Sequence, residues 1–127
     1  MTEQELHMLV AEFLRERLPE GSVWHHSPNE GRRHVNYKVK LARMGARSGW
    51  PDIEIFVPEI FFVGERWAPI FIELKRPKGG SVSEKQRQVR DELREIGCHW
   101  EVCRSVEQVQ TFLEGLVVLN VQKKSSG

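Results

Sequence analysis

Three residues of this 127-residue sequence have the types and spacing to do chemistry together: Asp52, Glu73 and Lys75. Asp52 follows Gly49-Trp50-Pro51 and opens an apolar stretch; Glu73 and Lys75 stand two apart inside another. Side chains two apart on a strand leave the same face. Charged groups inside otherwise apolar strands are costly unless they are paired or bound to metal. If the two strands are neighbours, both carboxylates converge and can hold a divalent cation, with Lys75 beside it. Hard oxygen donors of this sort suit Mg²⁺ or Mn²⁺. Such a cation makes a bound water more acidic and neutralises charge on a phosphodiester. Lys75 would orient or deprotonate the attacking water, or stabilise charge growing on phosphorus. The competing reading is an edge strand with a wet outer face and Glu73–Lys75 as a surface ion pair.

The elements needed to hold these groups are readable from periodicity and caps. A first helix is expected from Glu3 to Leu18, with Thr2 as cap and Glu5 completing a capping box. Its apolar face is Leu6, Leu9, Val10, Phe13, Leu14 and Leu18. At 100° per residue Glu3 and His7 lean inward with Val10 and Leu14, so Glu3 is the inward acid of that helix. A strand is expected from Ser22 to His25, and a helix from His34 to Arg47 closed by Gly45 or Gly49. Asp52 to Val57 and Pro69 to Lys75 alternate as strands, separated by a loop or short helix. Ser83 caps a helix to Ile96 with Val82, Gln86, Val89, Leu93 and Ile96 on one face. His99 to Cys103 reads as a strand, and Ser105 to Leu116 as a closing helix. The order is α/β, a mixed sheet covered by helices.

Composition limits the function classes. The length suits one domain, residues 1–120, followed by a frayed tail at 121–127. No apolar run reaches the length of a membrane span, and the first residues lack the basic-then-apolar order of a signal peptide. Two cysteines, Cys98 and Cys103, without zinc spacing, point to free thiols and a reduced, cytoplasmic setting. The net charge is only +1, but it is unevenly placed. Between Gly31 and Pro51 lie six cations, Arg32, Arg33, Lys38, Lys40, Arg43 and Arg47, and no acid; the remainder carries 13 cations and 18 acids. A local basic block is the electrostatic footprint that phosphate backbones attract, the alternative being a solvated basic face. His25 and His26 invite a metal reading, but neighbours on a strand point to opposite faces, and they are set aside as ligands.

The ordered set Gly49-Trp50-Pro51-Asp52, then Glu73-Leu74-Lys75 after a gap of 21, then Gly80-Ser81-Val82-Ser83-Glu84-Lys85-Gln86, resembles the VRR-NUC family of the PD-(D/E)XK nuclease superfamily. The Pro28-Asn29-Glu30-Gly31 turn, the basic segment to Gly45, and Gly97, Trp100-Glu101-Val102 and Ser105 downstream extend the likeness over Glu3 to Leu116. The resemblance implies a restriction-endonuclease-like core and a Mg²⁺- or Mn²⁺-dependent DNA endonuclease. By position it implies Asp52 and Glu73 as metal ligands, Lys75 as the catalytic lysine and Gln86 beside the active site, where a Ser83/Gln86 capping box is the rival role. It also implies a first-helix acid in the metal site, which Glu3 fits; His7 stands where the family tends to have glutamine. Small members resemble Holliday-junction resolvases that act as homodimers and are frequent in bacteriophages. The expected partners are therefore branched or duplex DNA and a second copy, with Phe61, Phe62 and Trp67 available for an interface, and a nickase, flap nuclease or non-cleaving DNA-binding module as alternatives.

Overall fold

The computed structural model describes residues 1–28, 35–64 and 66–122. The helix α1 runs Glu3–Arg17, capped by Thr2, whose side chain accepts from the Glu5 N–H. Its stripe of Leu6, Val10 and Leu14 is buried because residues four apart share a helix face; Leu9 falls off that stripe and is exposed. The strand β1 is Val23–His26, β2 is Ile53–Phe56, β3 is Ile70–Leu74 and β4 is His99–Cys103. The helix α2 spans Val35–Arg43, α3 spans Glu84–Glu95 and α4 spans Val106–Glu114. Glu59–Phe61 forms a single short 3₁₀ turn. The second helix thus stops four residues before the expected Arg47, because Gly45 at φ +102° accepts a backbone conformation that a side-chain-bearing residue resists.

The sheet order is β1-β2-β3-β4, antiparallel across the first two pairs and parallel across the last. The parallel pair requires a crossover, which α3 supplies. Ile53, Ile55, Ile70, Ile72, Leu74 and Cys103 join Leu6, Val10, Leu14, Val109 and Leu113 in the larger core, between the sheet and the α1/α4 layer. Phe71 and Trp100 leave the opposite face and pack with Val89 and Leu93 of α3. Ile96 is exposed although it falls on the periodic face of α3, because the helix ends there. Phe61 and Phe62 pack against this chain's own core, and Trp67 stacks on Phe56 and donates to the Val57 carbonyl. Asn120 ties the far end of the chain to the close of α1 through its N–H to the Arg17 carbonyl and its amide to Leu18. No described helix is long and apolar enough to cross a membrane. The expected cations Arg32 and Arg33, the Asn29–Gly31 part of the turn and the tail from Lys123 lie outside the described residues.

Candidate active site

Asp52 and Glu73 are the buried acids of the described residues, at 7% and 3% exposure. Asp52 sits at the entry to β2, and its Oδ2 accepts from the Leu74 N–H of the neighbouring strand at 2.7 Å. That bond fixes one carboxylate against the end of β3, one residue from Glu73. Glu73 lies on the α3 face of β3, as its alternation with Ile72 and Leu74 requires. Its Oε1 accepts from Gln86 Nε2 at 2.8 Å and lies 3.7 Å from Lys75 Nζ. Its Oε2 is buried without a hydrogen-bond partner among the described residues.

Gln86 makes a capping box with Ser83 and also reaches Glu73. Its Oε1 accepts from the Ser83 N–H and its N–H donates to Ser83 Oγ, a complete capping box. The other end of the same amide reaches Glu73. The helix start that carries it is pressed against the loop before Asp52. A Cβ on Gly49 would lie 2.6 Å from the Lys85 carbonyl carbon and 2.8 Å from the Gln86 nitrogen, and Gly49 adopts φ +83°. Only glycine satisfies both conditions. The glycine of the G-x-P-D motif therefore sets the distance between the Gln86 helix and the Asp52 strand. On the far side of Lys75, Arg104 donates to the carbonyls of Arg76, Gly79 and Gly80 and so pins the loop that follows the lysine.

The electrostatics are those of two acids forced together. The Glu73 carboxyl is pushed up to about 8, first by burial, then by the neighbouring Asp52 charge, with Lys75 opposing. A buried carboxyl pair with an orphaned oxygen is disfavoured in isolation and is relieved by a cation. The donor set therefore fits a hard divalent ion, which Asp52 and Glu73 would hold.

The α1 side of Asp52 holds three further polar groups. His26 pairs with Ile53 across β1 and β2, and the Ser27 N–H donates to the Asp52 carbonyl. Directly opposed residues share a sheet face, so His26 turns toward α1 with Ile53. There its ring meets that of His7, edge to face, with centroids 4.7 Å apart. The His26 imidazole is held below its ordinary pKa, chiefly by burial and then by His7, with Asp52 opposing. Donor atoms of His7, His26 and Asp52 all lie within 4.8 Å of one another. Glu3 is half-exposed and stands 3.7 Å from His7 Nε2, one step outside this group. The two adjacent histidines do point to opposite faces, but His26 finds its neighbours across the fold. The signal that could have found it was the pairing of an inward-leaning His7 with a histidine at the end of the strand beside Asp52.

The basic block divides. Lys38, Lys40 and Arg43 stand exposed on α2, which buries no residue. Arg47 lies beyond the helix and forms a two-pronged ion pair with Glu92 of α3.

A solved structure described as "VRR_NUC domain protein" superposes with a TM-score of 0.70 at 22% identity, covering 90% of this chain and 86% of that one. A second, described as "VRR_NUC domain", gives 0.57 at 20% identity over 90% and 97%. These likenesses establish the shared α/β fold. No curated protein matches the chain. The family model of the VRR-NUC domain matches residues 3–107, a span that runs from Glu3 through all three of Asp52, Glu73 and Lys75 to the start of α4. The chain belongs to the VRR-NUC domain family, a nuclease-type domain.

Proposed function

We propose that this protein is a structure-selective DNA endonuclease of the PD-(D/E)XK kind that hydrolyses phosphodiester bonds with Mg²⁺ or Mn²⁺. The observation that carries the reading is the buried Asp52–Glu73 pair, with one Glu73 oxygen unpartnered and Lys75 half-buried beside it. A bound cation would supply charge neutralisation on the scissile phosphate and a more acidic water. The chain's own groups do the rest. The Leu74 N–H fixes the Asp52 carboxylate, and the Gln86 amide holds Glu73 in one rotamer. Lys75, kept near by the Arg104-pinned loop, orients the attacking water as a hydrogen-bond donor or offsets charge on the phosphorus oxygens.

Lys38, Lys40 and Arg43 on exposed α2 would bind the phosphate backbone, with Arg32 and Arg33 continuing the same block in sequence. The preferred reading is a resolvase-like homodimer, since two related nicks in a two-fold junction need two related sites. The test is incubation of the purified protein with Mg²⁺ or Mn²⁺ on duplex, flap and four-way-junction DNA, with light scattering at micromolar concentration. Paired nicks in the junction by a dimer support the resolvase reading. Flap or nicking activity by a monomer supports a flap nuclease or nickase. DNA binding with no cleavage in either metal overturns the enzyme.

A further inference from the structure

The catalytic reading uses Asp52, Glu73, Lys75 and Gln86 and leaves His7 and His26 without a task. We propose that His7, His26 and Asp52 form a nitrogen-rich cation pocket on the α1 side of the site, which takes Zn²⁺ or a similar borderline transition ion in preference to Mg²⁺. Three independent parts of the chain converge to make it: α1 brings His7, the end of β1 brings His26, and the entry of β2 brings Asp52. Two imidazoles and one carboxylate are a donor set that soft-to-borderline ions favour and that hard Mg²⁺ does not. The donor atoms already lie within 4.8 Å of one another. At bond lengths of about 2.0–2.1 Å, tetrahedral ligands stand roughly 3.3 Å apart, so small side-chain rotations close the set. Asp52 keeps a carboxylate oxygen beyond the one held by Leu74, because only Oδ2 accepts that bond. Glu3, 3.7 Å from His7, adds negative charge beside the pocket and raises its affinity for a cation. Both histidines keep solvent access, His26 exposed and His7 at 18% for its side chain, so an ion can enter without opening the core. The proposal shares Asp52 with the nuclease reading and gives that site a second, chemically different side.

Binding, read without DNA, tests it. Zn²⁺ titration by calorimetry and Co²⁺ titration by visible absorption should show one strong site per chain, with Co²⁺ bands of a nitrogen-containing environment. Zn²⁺ should bind at least about a hundredfold more tightly than Mg²⁺. His7→Gln and His26→Asn should each weaken Zn²⁺ by about 10–100-fold and change the Co²⁺ bands, with far-UV circular dichroism unchanged. Glu73→Gln should weaken Zn²⁺ less than either histidine variant and leave the nitrogen-dependent Co²⁺ bands in place, because Glu73 touches Asp52 but supplies no donor to the pocket. His25→Ala is the control for surface binding, since His25 is exposed and pairs with Glu54 on the other face. Wild-type affinity in both His7→Gln and His26→Asn, or an equal loss in His25→Ala, overturns the pocket. Strong Zn²⁺ binding lost in both histidine variants, in a protein that cuts no DNA, upholds the pocket and removes the nuclease reading.

Discussion

The two sides of Asp52 are built in opposite ways. Toward α3 the polar groups are held in place: Glu73 by Gln86, Gln86 by its capping box, and the start of α3 against the Asp52 loop by a glycine with no room for a Cβ. Toward α1, Glu3, His7 and His26 all keep part of their surface in solvent, and they meet through packing between elements distant in sequence. The first arrangement places charge where water is scarce and forces a carboxyl pKa upward. The second leaves donors at the solvent edge, where an ion or a phosphate can arrive. The proposed chemistry would draw on both a preorganised, dry half and an accessible half, and one buried aspartate joins the two.

The comparison yields graded expectations. Asp52→Asn or Glu73→Gln should reduce cleavage by at least about a thousandfold, because each removes a negative ligand of unchanged size worth several kcal/mol. Gel assays on the preferred DNA, with circular dichroism confirming the fold, measure this. A loss below tenfold in either variant would remove the buried pair from the chemistry. Lys75→Ala should lower cleavage by about 10²–10⁴-fold while Mn²⁺ affinity stays near wild type, since an ammonium is not a ligand. A collapse of Mn²⁺ binding in this variant would assign Lys75 to holding the carboxylates in place.

A stability experiment separates the dry half from the open one. In the metal-free protein the Glu73 carboxyl keeps its proton up to about 8 rather than the ordinary 4.5. Between those values the native state binds more protons than the unfolded chain, so stability falls as pH rises through that window. Glu73→Gln, which stays neutral, should therefore melt above wild type by a margin that widens from pH 5 to pH 8, on the order of a few kcal/mol at most. Added Mn²⁺ should narrow the margin by stabilising the wild type. A constant margin across pH would show that the carboxyl ionises normally.

The smallest effect concerns the basic block. Counterion release gives a log–log salt slope of about −0.9 per phosphate neutralised. Arg43→Ala should flatten the slope by about one such unit. Arg47→Ala should change it less, because Arg47 is committed to Glu92. Equal changes would mean that DNA displaces the ion pair.

The core of the fold was legible because it rests on short-range rules. Period-2 alternation put Ile53, Ile55 and Val57 inside, and it put Glu73 on the face opposite Ile72 and Leu74. Ser83 and Gln86 announced the start of α3 through a capping box that needs only three residues of spacing. The end of α2 was less legible. Its arm buries nothing, so no packed apolar stripe marks where it stops. Phe61 and Phe62 could equally have served an interface or the core, since nothing local distinguishes the two destinations for an apolar side chain.

What the amino-acid sequence determined by itself was the identity and order of the chemical groups: two carboxylates, a lysine two residues after the second, and a glutamine at a helix start. Those follow from local spacing, which the backbone turns directly into shared faces and caps. What only the tertiary structure decided was the distances that give these groups their properties. Burial beside Asp52 raises the Glu73 pKa, the contact of Gly49 with α3 brings Gln86 within reach, and the docking of α1 against α4 and β3 sets His7 against His26. Electrostatic and ligand energies depend on separations of a few ångströms between elements far apart in sequence, and packing of the whole core fixes those separations.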